Sequence, residues 1–218
     1  MGCGGSKKKD NKQVLSVGKL GTKAKVVILG SQGVGKTAIA KRYVNNKFDE
    51  SDNIVTLGGA QFQCSADLTS GGKFTFDLWD TGGTDKYDSI TKSYYRNATA
   101  AIFVYDITQE STIEEAKKWI EQLSNERETK DMVLAVVANK IDLIKTDGKD
   151  SKEIKEAREK GQKCAADGGM LYAQTSAKEG IGIQDLFRNI ADSIVTKYPQ
   201  YIIPDANAPR GSAKKITK

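Results

Sequence analysis

The sequence of 218 residues contains no histidine, which excludes His-based catalytic triads, histidine general bases and most zinc enzymes. Cysteine is scarce too: Cys3, Cys64 and Cys164 are scattered, without the C-x-x-C spacing of zinc or redox sites. We therefore expect neither disulfides nor zinc, and a reduced cytosolic setting. Cys64 and Cys164 are expected to be small buried apolar residues.

Long apolar runs are also missing. None approaches the roughly 18 residues that a membrane span needs, and the N-terminal segment lacks the apolar core of a secretory signal. The net charge of +6 is instead concentrated at the two ends of the chain. The basic residues of these tails are Lys7, Lys8, Lys9, Lys12, Lys19, Arg210, Lys214, Lys215 and Lys218. Because basic tails attach to nucleic acid or anionic lipid and no nucleic-acid motif is present, we expect a lipid surface as partner.

Composition divides the chain into three segments. Residues 1–22 are polar and rich in glycine and lysine, and we expect them to be disordered. Residues 23–197 carry the apolar periodicity of one domain with its own core. Residues 198–218 contain all three prolines of the chain and are expected to form a flexible tail.

The domain alternates strand-length apolar runs with helical patterns, which is typical of an α/β fold. Three apolar runs predict buried strands, as in a parallel sheet: residues 24–29, 100–105 and 132–137. Residues 171–173 are a further, shorter strand candidate. The alternating residues of 62–68 and 73–79 predict a hairpin, which makes one edge strand of the sheet antiparallel.

Helical spacing appears between these strands. A first helix is predicted over residues 38–44, and a third to begin near Asp150, whose spacing to Glu153 resembles a capping box, and to end by Gly168. Two other segments each place apolar residues on one helical face: Ile113, Ala116, Ile120 and Leu123, and then Ile183, Leu186, Phe187, Ile190 and Ile194.

The residues after the first strand fit G-x-x-x-x-G-K-[ST], the phosphate-binding loop. They are Gly30, Ser31, Gln32, Gly33, Val34, Gly35, Lys36 and Thr37. The glycines let successive backbone N–H groups point at phosphate oxygens, and the following helix N-terminus adds partial positive charge. Lys36 is predicted to reach the outer phosphates, and the Thr37 hydroxyl to bind magnesium.

A D-x-x-G motif runs from Asp80 to Gly83, after the second strand of the predicted hairpin. An acidic residue at a strand end facing the phosphate loop can hold magnesium, usually through water. The glycine three residues later lets its backbone N–H approach a γ-phosphate closely. Asp80 is thus predicted to be a metal ligand and Gly83 to contact the nucleotide.

The tetrapeptide Asn139-Lys140-Ile141-Asp142 predicts recognition of guanine. The Asp142 carboxylate can accept hydrogen bonds from guanine N1–H and the exocyclic amine, a donor pair that adenine lacks. Thr175-Ser176-Ala177-Lys178 follows a short strand and can present a backbone N–H to guanine O6. Either tetrapeptide alone is compatible with an ordinary polar loop. A P-loop kinase or ATPase is an alternative that conflicts with Asn139, Lys140 and Asp142.

Taken in this order, the four motifs resemble those of a small GTPase of the Ras superfamily, over residues 23–197. Residues 86–91, 94–98 and 103–108 resemble the Rab branch nearly residue for residue, and 56–60 resemble switch I of endosomal Rabs. The resemblance implies a P-loop NTPase fold: a six-stranded, mostly parallel sheet with one antiparallel edge strand and helices on both faces. It also implies a monomer that binds GTP or GDP with Mg²⁺, hydrolyses GTP, and works with effectors, an exchange factor and a TBC-type activating protein.

The resemblance also assigns roles to further residues. Thr56 corresponds to the switch I threonine that reaches magnesium and the γ-phosphate, and Phe48 is expected to pack against the guanine edge. Lys36, Gly83 and Thr84 occupy the catalytic positions. The effector surface is expected to comprise Phe62, Trp79 and Tyr94.

Two residues depart from the family pattern. Thr84 stands where most Rabs have the glutamine that orients the attacking water, so we expect slow intrinsic hydrolysis. Gln32 stands beside the γ-phosphate site where Ras has glycine, and it can either hinder hydrolysis or partly substitute for the glutamine. A GTP-loaded scaffold that scarcely turns over is therefore the alternative to a hydrolysing switch.

The membrane anchor is expected at the N-terminus. No cysteine lies near the C-terminal residue, which argues against prenylation, whereas Met1-Gly2-Cys3-Gly4-Gly5-Ser6 fits the myristoylation signal. Gly2 would carry the myristoyl chain, and Cys3 and the lysines after it would supply the second signal that stable binding needs. This arrangement resembles the N-myristoylated endosomal Rabs of plants and protists. We expect the protein on the cytoplasmic face of endosomal or plasma membranes.

Overall fold

Six strands form one sheet in the computed structural model. The structure describes residues 24–49, 59–82, 95–125, 130–144 and 151–201. The strands are β1 Ala24–Leu29, β2 Ala60–Asp67, β3 Lys73–Asp80, β4 Ala100–Asp106, β5 Val133–Asn139 and β6 Leu171–Gln174. Their order across the sheet is β2-β3-β1-β4-β5-β6, and every pair is parallel except β2 with β3. The predicted α/β fold with one antiparallel edge strand is confirmed.

Helices cover both faces of this sheet. They are α1 Lys36–Asn45, α2 Glu110–Ser124, α3 Lys152–Asp167 and α4 Ile183–Lys197, with short 3-10 turns at Ile141–Leu143 and Pro199–Tyr201. The apolar sides of α1 and α4 are buried with one set of strand residues, and those of α2 and α3 with the alternate set. This division follows from the period of two in a strand, which sends successive side chains to opposite faces.

The predicted helical faces form the two cores. Ile113, Ala116 and Leu123 of α2 are fully buried, as are the apolar residues of α4. Phe187 of α4 stacks on Tyr43 of α1 with ring centroids 3.8 Å apart and lies 6.0 Å from the ring of Phe76. Aromatic rings in offset contact bury large apolar areas, so this trio fastens both helices to the sheet.

Two local predictions are wrong. α3 runs from Lys152 to Asp167, which confirms a helix that begins near residue 150 and ends by Gly168, but its N-cap is Ser151 and not Asp150, which lies outside the described residues. Ser151 Oγ accepts a hydrogen bond from Ile154 N at 3.3 Å. Cys64 is buried as predicted, and burial raises the pKa of its thiol to about 11. Cys164, in contrast, is only half-buried, packed against the core that α2 and α3 cover.

The parallel strands all end at one edge of the sheet, formed by their carboxyl ends, and all start at the opposite edge. Their carboxyl ends carry Gly30, Asp80, Asp106 and Asn139 to one edge. At that edge the helix after β1 lies on one face and the helix after the adjacent β4 lies on the other. Such a switch point opens the crevice in which open α/β sheets bind ligands.

The opposite edge holds both ends of the described chain. β1 starts there with Ala24, and the next residue, Lys25, receives a hydrogen bond at its carbonyl from Thr99 N (2.7 Å). The hydroxyl of Tyr201 lies 3.4 Å from Thr99 Oγ1, and its ring contacts Phe74 edge-on. Among the described residues, no helix is long and apolar enough to cross a bilayer.

Candidate functional site

The loop between β1 and α1 wraps closely around its own backbone. At Gly30, φ is +144°, and a Cβ atom would lie 2.3 Å from the carbonyl oxygen of Val104 in β4. At Gly35, φ is +97°, and a Cβ atom would lie 2.3 Å from Asn139 Nδ2. Both positions therefore require glycine, on grounds of backbone conformation and of space. Within this turn Gln32 and Gly33 are exposed, whereas Val34 is buried.

The side chain of Lys36 lies inside this loop. It is 5% exposed, and its Nζ donates hydrogen bonds to the carbonyl oxygens of Gly30 and Ser31, both at 2.8 Å. Ser31 also donates through Oγ to the Glu115 carboxylate on α2. A buried ammonium within a glycine-rich loop at a helix N-terminus is an anion-binding arrangement.

Asp80 and Thr37 meet beside this loop. Thr37 Oγ1 donates to Asp80 Oδ2 at 2.7 Å, while Asp80 Oδ1 is buried without a hydrogen-bond partner among the described residues. Burial raises the pKa of this carboxyl group, although Thr37 and Lys36 both act to lower it. Magnesium prefers hard oxygen ligands such as carboxylates and hydroxyls. An orphaned buried carboxylate oxygen next to a threonine hydroxyl therefore fits a magnesium ion.

Asn139, at the end of β5, joins three loops. Its Nδ2 donates to Val34 O of the phosphate loop at 3.0 Å. Its Oδ1 accepts from Thr175 Oγ1 at 3.0 Å and from Ala177 N at 3.3 Å. Asn139 is 1% exposed, and both ends of its amide are used. It is thus a structural clamp between the phosphate loop and the loop that follows β6.

Asp142 is held beside that same loop. Ser176 Oγ donates to Asp142 Oδ1 at 2.6 Å, and Ile141 N donates to Thr175 O at 3.2 Å. Lys140 adopts a left-handed conformation with φ of +67°, which turns the chain at the end of β5. The sequence motifs at 139–142 and 175–178 therefore form one continuous rim, with Ala177 buried and Lys178 exposed.

The sequence of this domain is similar to those of known proteins. The model of the Ras family matches residues 25–196. The chain belongs to the Ras family. It is 33% identical over 190 residues to the GTP-binding protein YPT52 of Saccharomyces cerevisiae, covering 78% of this chain and 81% of the relative. It is 34% identical over 176 residues to the Ras-related protein Rab5 of Nicotiana tabacum, covering 81% and 83%. The predicted Rab-type resemblance is thereby confirmed, and the protein is a GTPase that binds GTP and GDP.

Two contacts of this Ras-family GTPase were not foreseen from its sequence. Lys140 Nζ forms an ion pair with Asp106 Oδ2 at 2.7 Å. Arg42 of α1 donates hydrogen bonds to the carbonyl oxygens of Ala177 and Lys178. One signal was available for Asp106, because it ends a buried parallel strand at the edge where ligands bind. For Arg42 the sequence offers no signal, since its partners lie about 135 residues away.

Of the predicted effector surface, the structure describes Phe62 and Trp79, and these two residues do not share a face of the sheet. Phe62 pairs with Leu78 and packs against the core that α1 and α4 cover. Trp79 pairs with Gln61 and packs against the other core, with Lys25 Nζ 4.6 Å from the centre of its ring. Adjacent strand residues point to opposite faces, so Phe62 and Trp79 lie on opposite sides of the GTPase sheet.

Several predicted site residues lie outside the described part of the chain. These are Gly2, Cys3, Thr56, Gly83, Thr84 and Tyr94. Phe48, predicted to pack against the guanine edge, is half-buried after α1 and contacts the core on the α1 and α4 face. The described GTPase residues thus bring together the phosphate loop, Asp80 and the guanine motifs.

Proposed function

We propose that this protein is a membrane-anchored Rab-type switch of vesicle trafficking that binds GTP or GDP together with magnesium. The observation that carries this proposal is the convergence of four loops at one sheet edge. Asn139 alone contacts two of them, through Val34 in the phosphate loop and Ala177 in the loop after β6. The match to a protein named Rab5 and the endosomal-type segment at 56–60 favour an endosomal role.

One end of the site binds the phosphates and the magnesium ion. Lys36 and the loop N–H groups hold the phosphates, with the Lys36 ammonium already buried at that position. Thr37, Asp80 and, by resemblance, Thr56 hold the magnesium ion. When bound, this ion neutralises charge on the phosphate oxygens. Gly83 supplies a backbone N–H to the γ-phosphate, as its place in the D-x-x-G motif implies.

The base end reads guanine. Asp142 accepts from guanine N1–H and the exocyclic amine, and Ser176 keeps its carboxylate oriented by donating to Oδ1. Ala177 N–H, whose hydrogen bond to Asn139 Oδ1 is long at 3.3 Å, would share its hydrogen with guanine O6. With adenine the carboxylate would remain unpaired, which costs roughly 1–3 kcal/mol or more for a charged group. The expected ligand is therefore a guanine nucleotide, and Phe48 packs at its edge.

Hydrolysis is slow in the absence of a partner. Thr84 replaces the water-orienting glutamine, and its shorter hydroxyl cannot both donate and accept at the same reach. An activating protein of the TBC type can supply an arginine and a glutamine, and such help is worth on the order of 10³–10⁵ in rate. We infer that the GTP-bound state is long-lived until this partner arrives.

The anchor lies at the N-terminus, with Gly2 myristoylated and Cys3 palmitoylated. The described chain starts and ends at the sheet edge opposite to the nucleotide loops, as Ala24 and Tyr201 both lie there. The N-terminal tail therefore joins the described domain at the edge away from the nucleotide loops. The lysines at 7–9 add roughly 1 kcal/mol each near an anionic surface.

The test is a GTP hydrolysis assay of the full chain, with and without a TBC-type activating protein. We expect a slow rate alone and at least a hundredfold acceleration with the partner. If the protein without its partner hydrolysed GTP as fast as glutamine-containing Rabs do, the role of Thr84 would be rejected. A chain that binds ATP as tightly as GTP would reject the guanine site.

A GTP-loaded scaffold remains the second candidate, and Thr84 together with Gln32 favours it. The nucleotide that copurifies with the protein separates the two. Mostly GDP supports the switch. Mostly GTP, combined with no response to the activating protein, supports the scaffold.

A further inference from the structure

Arg42 lies two turns into α1 and reaches across to the loop that follows β6. Its Nε donates to the carbonyl oxygen of Ala177 at 2.8 Å, and its Nη2 donates to that of Lys178 at 2.7 Å. Gly180 of the same loop approaches the Arg42 side chain, since a Cβ atom there would lie 3.6 Å from Arg42 Cδ. One guanidinium thus holds two consecutive carbonyl groups of the loop.

The other side of this guanidinium is fixed as well. Nη1 donates to the carbonyl oxygen and to Oδ1 of Asn46, at 3.0 and 3.2 Å. Asn46 ends α1 in a left-handed conformation with φ of +52°, and its N–H donates back to Arg42 O at 3.0 Å. Because guanidinium is planar and its donors form a rigid fork, these contacts leave Arg42 little freedom.

The held carbonyls set the direction of the loop backbone. A peptide bond is planar and trans, so holding the Ala177 and Lys178 carbonyl groups restrains the peptide planes that join residues 177–178 and 178–179. The Ala177 N–H belongs to the peptide plane just before these two, and it donates to Asn139 Oδ1 at 3.3 Å. This N–H is the donor assigned above to guanine O6.

We propose that Arg42 is a positioning residue for guanine recognition. By binding the loop after β6 to α1, Arg42 holds the Ala177 N–H, the donor to guanine O6, in place relative to the phosphate-binding residues on that helix. This inference rests on the proposed guanine site. α1 begins with Lys36 and Thr37 and contains Arg42, so one helix orients both the phosphate end and the base end of the nucleotide. Affinity for the base is then coupled to the integrity of α1.

The test compares two nucleotides that differ only in the atom at position 6 of the base. GDP carries oxygen at position 6, while 6-thio-GDP carries sulfur, a weaker acceptor, and keeps the N1–H and exocyclic amine that Asp142 reads. Competition against a fluorescent GDP gives the dissociation constant of each, for the wild type, Arg42→Gln and Arg42→Lys.

We expect Arg42→Gln to weaken GDP binding about tenfold and 6-thio-GDP binding by less than threefold, so that discrimination at position 6 is largely lost. Arg42→Lys, which keeps the charge but not the fork, should fall between the wild type and Arg42→Gln. Arg188→Gln is the matched control, because Arg188 is a partly exposed arginine on α4 that pairs with Asp185 at 2.9 Å. It should leave both dissociation constants unchanged.

Equal loss of both nucleotides in Arg42→Gln would overturn the proposal, since it would indicate a general effect on the fold. Unchanged affinities would overturn it equally. If Arg42→Gln does not fold, as judged by its thermal unfolding, Arg42→Lys carries the comparison by itself. A wild-type protein that binds ADP as tightly as GDP would instead reject the guanine site itself.

Discussion

Lys140 Nζ lies 2.7 Å from Asp106 Oδ2, and the side chain of Asp106 is only 2% exposed. The other carboxylate oxygen of Asp106 accepts hydrogen bonds from Thr108 N at 2.9 Å and Thr108 Oγ1 at 2.6 Å. Both oxygens are therefore occupied. The ion pair holds the Lys140 ammonium, two residues before Asp142, and joins β4 to the end of β5.

Asp106→Asn should accelerate GDP release about tenfold, the equivalent of roughly 1.4 kcal/mol. Asparagine keeps the shape and the Thr108 contacts but removes the charge that holds Lys140, so the base loop loses part of its preorganisation. Stopped-flow displacement of a fluorescent GDP measures the rate. Asp185→Asn, which removes an exposed carboxylate on α4, is the control; equal acceleration in both variants would contradict the role of Asp106.

Asp142→Asn should change the preferred base from guanine to xanthine. Guanine offers two donors to the carboxylate, whereas xanthine offers one donor and one acceptor, which match the amide of asparagine. We expect GDP affinity to fall at least a hundredfold and xanthosine diphosphate affinity to rise. Titration of both nucleotides checks this, and a variant that loses both affinities would argue that Asp142 only stabilises the loop through Ser176.

Thr84→Gln should hydrolyse GTP clearly faster than the wild type in a single-turnover assay without partner proteins. The longer side chain restores a group that can donate to and accept from the attacking water. Thr84→Ser, which preserves a short hydroxyl, serves as the matched control and should stay slow. Equal rates in all three proteins would mean that position 84 does not orient the water.

Gly2→Ala should move the protein from membranes to the cytosol, because alanine at this position is not myristoylated. Palmitoylation of Cys3 would fail with it if acylation begins at Gly2. Fractionation of cells that express each variant measures the distribution. Gly4→Ala, a glycine change two residues away in the same tail, should remain on membranes; persistent membrane binding of Gly2→Ala would reject this anchor.

Gly182→Ala should destabilise the fold more than Gly169→Ala. Both glycines have positive φ, of +70° and +60°, so each substitution carries the left-handed cost of roughly 1–2 kcal/mol. A Cβ atom at Gly182 would also lie 2.3 Å from Gln174 O, whereas a Cβ atom at Gly169 would have no atom beyond its chain neighbours within 4 Å. In urea unfolding, the free energy of unfolding of Gly182→Ala should be about 1 kcal/mol lower than that of Gly169→Ala. Equal losses would mean that the loop relaxes without cost.

Most of the fold could be predicted from the sequence, because burial imposes its period on each segment. The apolar run 132–137 favours a buried strand, and the spacing of the apolar residues around Ile113 and Phe187 favours helices, as the structure confirms. The error at the start of α3 has a simple cause. Asp150 and Ser151 are both good N-caps, and a one-residue shift changes little in the apolar pattern.

The site was less predictable, because sequence patterns identify residue types and not which of them meet. The period of two that predicted the hairpin correctly also sets Phe62 and Trp79 on opposite faces, a constraint that the family resemblance obscured. Arg42 with Ala177, and Asp106 with Lys140, pair across different elements. Such pairs depend on how the strands and helices pack against one another, which sequence patterns do not indicate.

The nearness of the two ends of the described chain has a practical consequence. Lys25, Thr99 and Tyr201 form a short hydrogen-bonded path at one edge of the sheet. A dye or a sensor surface attached at Ala24 or at Tyr201 would then approach the molecule from the same side. Nucleotide and binding proteins would have access from the other side, so attachment at either of these two positions should yield the same exchange kinetics.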